Sequence, residues 1–232
     1  MGDTTPSSLG NVCLFEALTD AEREPIERVC RWRRFAPQEQ IIDRQGEARE
    51  VFFVVEGRVR VVNYSLSGRE VTLDDVPEGG HFGELAAIDG QPRSASVMAL
   101  TDTLLATLPH EHFLEAMKNH WSVALTVILS LTRIVRASTE RIMDLSTLGA
   151  NNRVHGELLR QARSAMINTN EAMIAPIPVH SDLASRVSTT RETVARVMND
   201  LARRKILERT RSGLLVKDVS RLEAMVEHVR GE

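Results

Sequence analysis

Phe82-Gly83-Glu84-Leu85-Ala86-Ala87-Ile88-Asp89-Gly90-Gln91-Pro92-Arg93-Ser94-Ala95-Ser96 is the most informative stretch of this 232-residue chain. It sets a glycine before an acid, follows with a short helical turn, and ends in Pro-Arg-Ser-Ala leading into a strand. Strand and turn signals surround it from about Cys13 to Pro109. Glu50–Val55 and Arg58–Tyr64 are rich in Val and Phe, with Glu56-Gly57 as a tight connection. In the second run Val59 and Val61 are expected on one face, and Arg58, Arg60 and Val62 on the other. Ser65-Leu66-Ser67-Gly68 and Pro77-Glu78-Gly79-Gly80 read as turns around a further strand, Val71–Val76. Ala95–Ala99 and Thr103–Leu108 add two more. Short strands with turn signals every eight to twelve residues or so describe a sandwich or barrel-like roll. A helix over Asp20–Arg31, begun by Thr19 as N-cap, precedes it.

Downstream the pattern changes. His110 to Leu148 reads as helix, and Ala124, Ile128, Leu131, Val135, Ser138, Ile142 and Leu145 alternate steps of four and three. That period of about 3.5 residues is a coiled-coil seam and points to self-association. Ser138 is the one polar member, and a buried hydroxyl there needs a partner. Gly149 stands where a left-handed C′ residue would end the helix, making Gly149-Ala150-Asn151-Asn152 the expected hinge. Beyond it come a helix near Arg153–Ile167, a loop closing at Pro176-Ile177-Pro178, and helices Ser181–Val187 and Thr190–Arg204. Ile206–Arg209 and Leu214–Lys217 flank Thr210-Arg211-Ser212-Gly213 as a β-hairpin, so three helices and a two-stranded wing make a winged helix.

Charge is unevenly spread. The net charge is −3, yet residues 150–232 carry 14 basic and 10 acidic residues, and Arg186 to Lys217 alone holds nine basic and three acidic ones. A basic segment on an acidic body suits a chain that holds a polyanion at one end. Cys13 and Cys30 have a spacing that fits neither a zinc site nor an iron–sulfur cluster, and two reduced thiols are expected. Met1 to Leu18 is polar and acidic rather than basic then apolar, so no secretory signal is expected. The longest apolar run, around Val123 to Leu131, is short for a membrane span. No nucleophile–base pair or metal-ligand spacing supports an enzyme; the seven histidines are scattered, with His110 and His112 one weak pair. The expectation is a cytoplasmic soluble protein with no catalytic residue, no metal and no covalently bound cofactor.

Phe82–Ser96 closely resembles the phosphate-binding cassette of cyclic-nucleotide-binding domains. From about Leu9 to Arg230 the chain is similar to the catabolite activator protein / fumarate-nitrate regulator (CRP/FNR) superfamily, on its cyclic-nucleotide-binding branch. The resemblance implies a mixed α+β protein: a jelly-roll-like β-roll over residues 9–109, a dimerisation helix and hinge over 110–149, and a winged helix-turn-helix over 150–232. In the cassette, Arg93 offers a planar fork to the two exocyclic phosphate oxygens, which lysine cannot match bidentately. Ser94 adds its hydroxyl and backbone N–H, and Glu84 accepts the ribose 2′-hydroxyl proton. Gly83 lets the backbone approach, and the turn from Glu84 presents free N–H groups to the anion. Val61, Leu85 and Ala95 join these as expected pocket residues. Ser138-Thr139 matches a polar pair that the family places on its long helix against the base and the partner subunit.

Two positions depart from the pattern. His81 stands where the family has an apolar aromatic, and Asp74 where it has a small hydroxyl against the base. Asp74 can accept from guanine N1–H and N2–H, and Ser94 can assist a guanine in a syn pose. cAMP is therefore the first expected effector and cGMP the second. A regulator of the same build sensing redox state, haem, a metabolite or nothing is the alternative, with the missing cluster cysteines counting against an iron–sulfur version.

Ser188 to Met198 resembles the same family's recognition helix. Val194, Met198 and Leu201 form its inward face, and Glu192, Arg196 and Asn199 the opposite one, with Arg191 at the start. Arginine there reaches guanine O6 and N7, and glutamate accepts from cytosine N4. Ser181, Thr189 and Thr190 suit phosphate contacts, and Arg211 on the wing tip adds another. Ser188 replaces the glycine usual at this turn. The implied partners are double-stranded DNA with a TGTGA-like inverted repeat, a cyclic nucleotide, a second copy of the chain and RNA polymerase, with no membrane.

Overall fold

The computed structural model describes residues 8–230. Residues 1–7 of the segment read for a secretory signal, and residues 231–232 of the third segment, lie outside the described residues. Contacts divide the chain into two compact units that adjoin in sequence between Val135 and Arg136.

In the first unit, helix α1 (Asp20–Val29) begins as expected: the Glu22 carboxylate accepts the Thr19 backbone N–H at 2.8 Å and its hydroxyl at 2.7 Å. It stops before Arg31, which opens strand β1 (Arg31–Phe35). Seven strands follow: β2 (Gln40–Ile42), β3 (Val51–Glu56), β4 (Arg58–Tyr64), β5 (Glu70–Pro77), β6 (His81–Phe82), β7 (Ser96–Ala99) and β8 (Thr103–Leu108). They form two four-stranded antiparallel sheets, ordered β1-β8-β3-β6 and β2-β7-β4-β5. Phe35, Val54, Phe82 and Leu105 of the first sheet meet Ile42, Val59, Val97 and Ala99 of the second in one core. The alternate residues of the first sheet, Val51, Phe53, Ala106 and Leu108, point the other way and pack with Phe15, Phe113, Val123 and Val127.

The alternation expected along β4 holds: Val59 lies in the core between the sheets and Val61 packs against it, while Arg60 and Val62 on the other face are buried as well. The irregularity is on the neighbouring strand: Val61 pairs with Asp74 and Val62 with Thr72, so Leu73 is an extra residue of β5. A bulge of this kind breaks the two-residue period, and periodicity alone could not locate it.

The helix expected over His110–Leu148 is two helices. α3 (His110–Asn119) ends at His120, whose backbone is extended (φ −127, ψ 103) and whose carbonyl accepts from the Val123 and Ala124 amides of α4 (Trp121–Thr147). Val123 and Val127 face the unit's core, whereas the seam residues Ile128, Val135, Ile142 and Leu145 are 43–64% exposed. Ala124 and Leu131, also in the seam, are occupied by the chain's own core. With 27 residues, α4 is long and apolar enough to cross a bilayer, which the short apolar run did not show. Arg133 and Arg136 at its middle would be costly there. Gly149 is not a left-handed C′ residue: it is extended (φ −64, ψ 158) and stands as the N-cap of the next helix, α5 (Ala150–Arg163).

The second unit continues with β9 (Ala172–Ile174), α6 (His180–Arg186), α7 (Arg191–Arg203), β10 (Leu207–Arg209), β11 (Leu214–Val216) and α8 (Val219–Arg230). Neither β9 nor α8 is expected from the sequence. β9 pairs with β11, so the wing is three-stranded, ordered β10-β11-β9. Leu158, Leu183, Val194, Leu201, Ile206, Leu214 and Leu222 make a continuous core beneath it. The turn between α6 and α7 is held from below by Arg153 of α5. Its guanidinium donates to the carbonyls of Leu148, Val187 and Ser188 at 2.8–3.1 Å. Ser188 takes φ +51, the left-handed conformation that glycine adopts without a Cβ penalty. Ser188→Gly is therefore expected to stabilise the second unit by about 0.5–1 kcal/mol, read as a higher midpoint in chemical denaturation; an unchanged or lower midpoint would contradict strain at this turn.

Candidate nucleotide pocket and nucleic-acid interface

Strand β6 delivers the chain to Gly83, and the six-residue helix α2 (Glu84–Asp89) departs from it. Gly83 has φ +88, and a Cβ here would fall 2.7 Å from Arg93 Nη1 and 3.0 Å from the Glu50 carbonyl oxygen. Only glycine fits both constraints. Arg93 is buried (5% exposed) where the loop returns toward β7. Its Nη1 donates to the Gly83 carbonyl at 3.0 Å and its Nη2 to the Glu50 carbonyl at 2.9 Å, with the Glu50 carboxylate 3.6 Å away. The guanidinium lies 5.7 Å from the Phe52 ring, which stacks on Phe82. Arg93 Nε is buried with no hydrogen-bond partner among the described residues.

Glu84 is buried beside it (6% exposed). Burial raises its carboxyl above the ordinary carboxylate range, against the pull of its own backbone N–H and of Arg93. Burial likewise lowers Arg93, against Glu50 and Glu84. A buried cation with an unmatched N–H, next to a buried acid, is the donor and acceptor set that a phosphate with a neighbouring sugar hydroxyl would satisfy. Ala95 is buried, Val61 half-buried, and Leu85 and Ser94 exposed at the rim. The Ser94 carbonyl accepts from Asn63 Nδ2 at 3.2 Å, while Asn63 Oδ1 is buried without a partner among the described residues. His81 points to the opposite side of the sheet from Phe82. Burial, then the charge of Arg133, pushes its imidazole down to about 4, so it is neutral at pH 7. Asp74 is exposed on β5, opposite Val61. A cleft of about 750 Å³, lined by Arg31, Arg49, Glu50, Pro92 and His110 among others, opens nearby and shares Glu50 with the cradle.

The sequence reading missed Glu50, Phe52 and Asn63. Glu50 contributes chiefly its backbone carbonyl, which no residue type announces. Ser138 and Thr139 belong to the second unit, on the exposed part of α4.

In the second unit, the Thr190 hydroxyl caps α7 by accepting the Thr193 amide at 3.3 Å. Val194, Met198 and Leu201 are buried as expected, and Val197 joins them. Arg191, Glu192, Arg196 and Asn199 are exposed together. Glu192 is held below the usual carboxylate range by its own backbone N–H, then by the Thr190 hydroxyl and Arg191, so it is an anion at the helix start. Arg196 Nη2 donates to Asn151 Oδ1 of α5 at 3.3 Å. Arg211 is exposed at the hairpin tip, and Ser181 lies partly buried with its hydroxyl on Asp182 Oδ1. Thr189 departs from the expected phosphate contact: it is buried (8% exposed), and its amide donates to the Ala184 carbonyl, closing the turn. Exposed carboxylate and amide acceptors and guanidinium donors on one helix, over a rigid apolar face, can read base edges.

Residues 32–120 match the family described as the cyclic nucleotide-binding domain, and residues 152–225 match the Crp-like helix-turn-helix domain. The chain is 32% identical over 192 residues to the Cyclic AMP receptor protein of Thermus thermophilus, covering 82% of this chain and 86% of that one. Among solved structures it is similar to a CRP/FNR-family transcriptional regulator, also of Thermus thermophilus, with a TM-score of 0.61 and 26% identity over 85% of this chain and 98% of that one. CooA from Carboxydothermus hydrogenoformans shares the fold, with a TM-score of 0.75 and 22% identity over 86% and 88% of the two chains. With an effector-type domain and a Crp-like helix-turn-helix in this order, the chain belongs to the CRP/FNR family of DNA-binding transcription regulators.

Proposed function

We propose that this chain is a cytoplasmic, homodimeric regulator that takes a cyclic nucleotide, cAMP before cGMP, at Glu84, Arg93 and Ser94. The observation that carries the reading is the buried Arg93 guanidinium, fixed by two carbonyls and left with an unmatched Nε beside buried Glu84. The phosphate would neutralise Arg93, and Glu84 would accept the 2′-hydroxyl. Ser138 and Thr139 are assigned to the base by the family resemblance, and the name of the Thermus relative favours the adenine nucleotide. cGMP is kept as the second reading on the acidic Asp74 of β5. The exposed seam of Ile128, Val135, Ile142 and Leu145 supports the dimer. Two copies of α7 would then meet half-sites of a TGTGA-like inverted repeat about one helical turn apart, roughly 34 Å. Arg191, Glu192 and Arg196 read bases, and Thr190, Ser181 and Arg211 contact phosphates. RNA polymerase is the proposed protein partner, and no metal or catalytic step enters this scheme.

Calorimetry with cAMP and cGMP side by side tests the pocket. Arg93→Lys keeps the charge but not the fork and is expected to weaken cAMP binding about 100-fold, since hydrogen bonds to a charged group contribute about 1.5–3 kcal/mol each. Unchanged affinity would remove Arg93 from the site, and tighter binding of cGMP than of cAMP would move the assignment to the guanine nucleotide. For the reading helix, Glu192→Ala is expected to lose about tenfold or more of discrimination at one base pair. Selection from random duplexes checks this; recovery of the parental motif at full stringency would contradict base reading by Glu192.

A further inference from the structure

His180 opens α6, partly buried, with Nε2 3.2 Å from Arg209 Nη2 of β10. Arg191, the first residue of α7, is also close enough to act on it electrostatically. Helix, helix and wing thus bring one titratable and two permanently charged cations together beside the exposed reading face. The hydrogen bond fixes the protonation state. Arginine has no lone pair to offer, so Arg209 donates and the His180 Nε2 accepts, which requires a neutral imidazole with its proton on Nδ1. Burial, then Arg209, then Arg191 hold its pKa below the ordinary 6.5.

The other charged groups around α6 do not reverse this balance. Asp182, on the same helix, accepts the Ser181 hydroxyl at Oδ1. Arg186 ends the helix, and Arg153 of α5 reaches the carbonyls of Val187 and Ser188 beyond that end. Among the described residues, the charges that act on His180, Arg209 and Arg191, are both positive.

We infer that His180 is a DNA-backbone contact that takes up a proton when duplex binds, so that this regulator grips DNA more tightly as pH falls. The inference rests on the reading of α7 as the DNA-reading helix. A duplex brought to Arg191 places phosphates over the cluster. These neutralise both arginines and give the imidazolium Nε2–H an acceptor, while Arg209 turns its own N–H from the imidazole to the backbone. Each step favours the charged ring. The sign follows: His180 titrates at higher pH in the complex than in the free chain. The added affinity is fully present below the free-chain pKa and is lost as pH rises through that of the complex, about tenfold for each unit between them.

Phosphate contacts are independent of sequence, so the probe is a mixed-sequence 30-base-pair duplex with the full-length protein at low, fixed ionic strength. Affinity is measured between pH 5.5 and 8, and the binding enthalpy at pH 7 in two buffers of different ionisation heat. The expected result is affinity about tenfold weaker at pH 8 than at pH 6, with net proton uptake. His180→Asn should bind weakly with that part of the slope removed, and His180→Arg should bind at pH 8 about as tightly as the parent does at pH 6. His155, the other described histidine of the second unit with a lowered pKa, is present in all three proteins, as is His228, so their difference isolates His180. A parent without pH dependence, an asparagine variant with the parent's slope, or an arginine variant that keeps the slope would each overturn the inference. Failure of all three proteins to bind duplex at any pH would instead overturn the DNA-reading assignment on which it rests.

Discussion

Everything in the first unit converges on one buried cation. Moving a guanidinium out of water costs several kcal/mol unless its donors are met and its charge is opposed. Here two donors are met by backbone carbonyls, of Gly83 and Glu50, and two carboxylates, Glu50 and Glu84, oppose the charge. The arrangement dictates its surroundings. Gly83 must be glycine because Arg93 occupies the space a Cβ would need. Phe52, stacked on Phe82, lies 5.7 Å from the guanidinium. Nε is the one guanidinium nitrogen that makes no hydrogen bond among the described residues.

The second unit is organised by a different arginine. Arg153 holds three carbonyls, one just before α5 and two at the turn between α6 and α7, so α5 and that turn are tied by one side chain. Ser188 carries the backbone strain of that turn. The strain does not prevent α7 from seating Val194, Val197, Met198 and Leu201 in the core, which leaves Arg191, Glu192 and Arg196 outward. Rigid seating and exposed polar tips come from the same 3.6-residue repeat.

That repeat is why the exposed face of α7 is legible in the sequence: Val194, Met198 and Leu201 mark one side of a helix whatever surrounds them. The grouping of Gly83, Glu84 and Arg93 is legible for another reason, since each is a side-chain or glycine requirement at fixed spacing. What depends on backbone atoms is not legible. Glu50 acts mainly through its carbonyl, the bulge at Leu73 of β5 shifts register without a marker residue, and His120 breaks a helix whose apolar spacing runs on unbroken. β9 is too short, at three residues, for any period to show, and it exists because β11 offers it an edge. Gly149 shows the converse error: a glycine at a boundary reads as a left-handed C′, although its backbone is extended.

The two sites are joined by one claim, that filling the Arg93 cradle changes how the chain holds DNA. The most direct test is fluorescence anisotropy of the full-length protein on a labelled duplex carrying a TGTGA inverted repeat, with and without saturating cAMP. Coupling between sites in allosteric proteins commonly spans about 1–3 kcal/mol, so binding about tenfold tighter with cAMP is the predicted result. Equal affinity with cAMP, with cGMP and without either would contradict it.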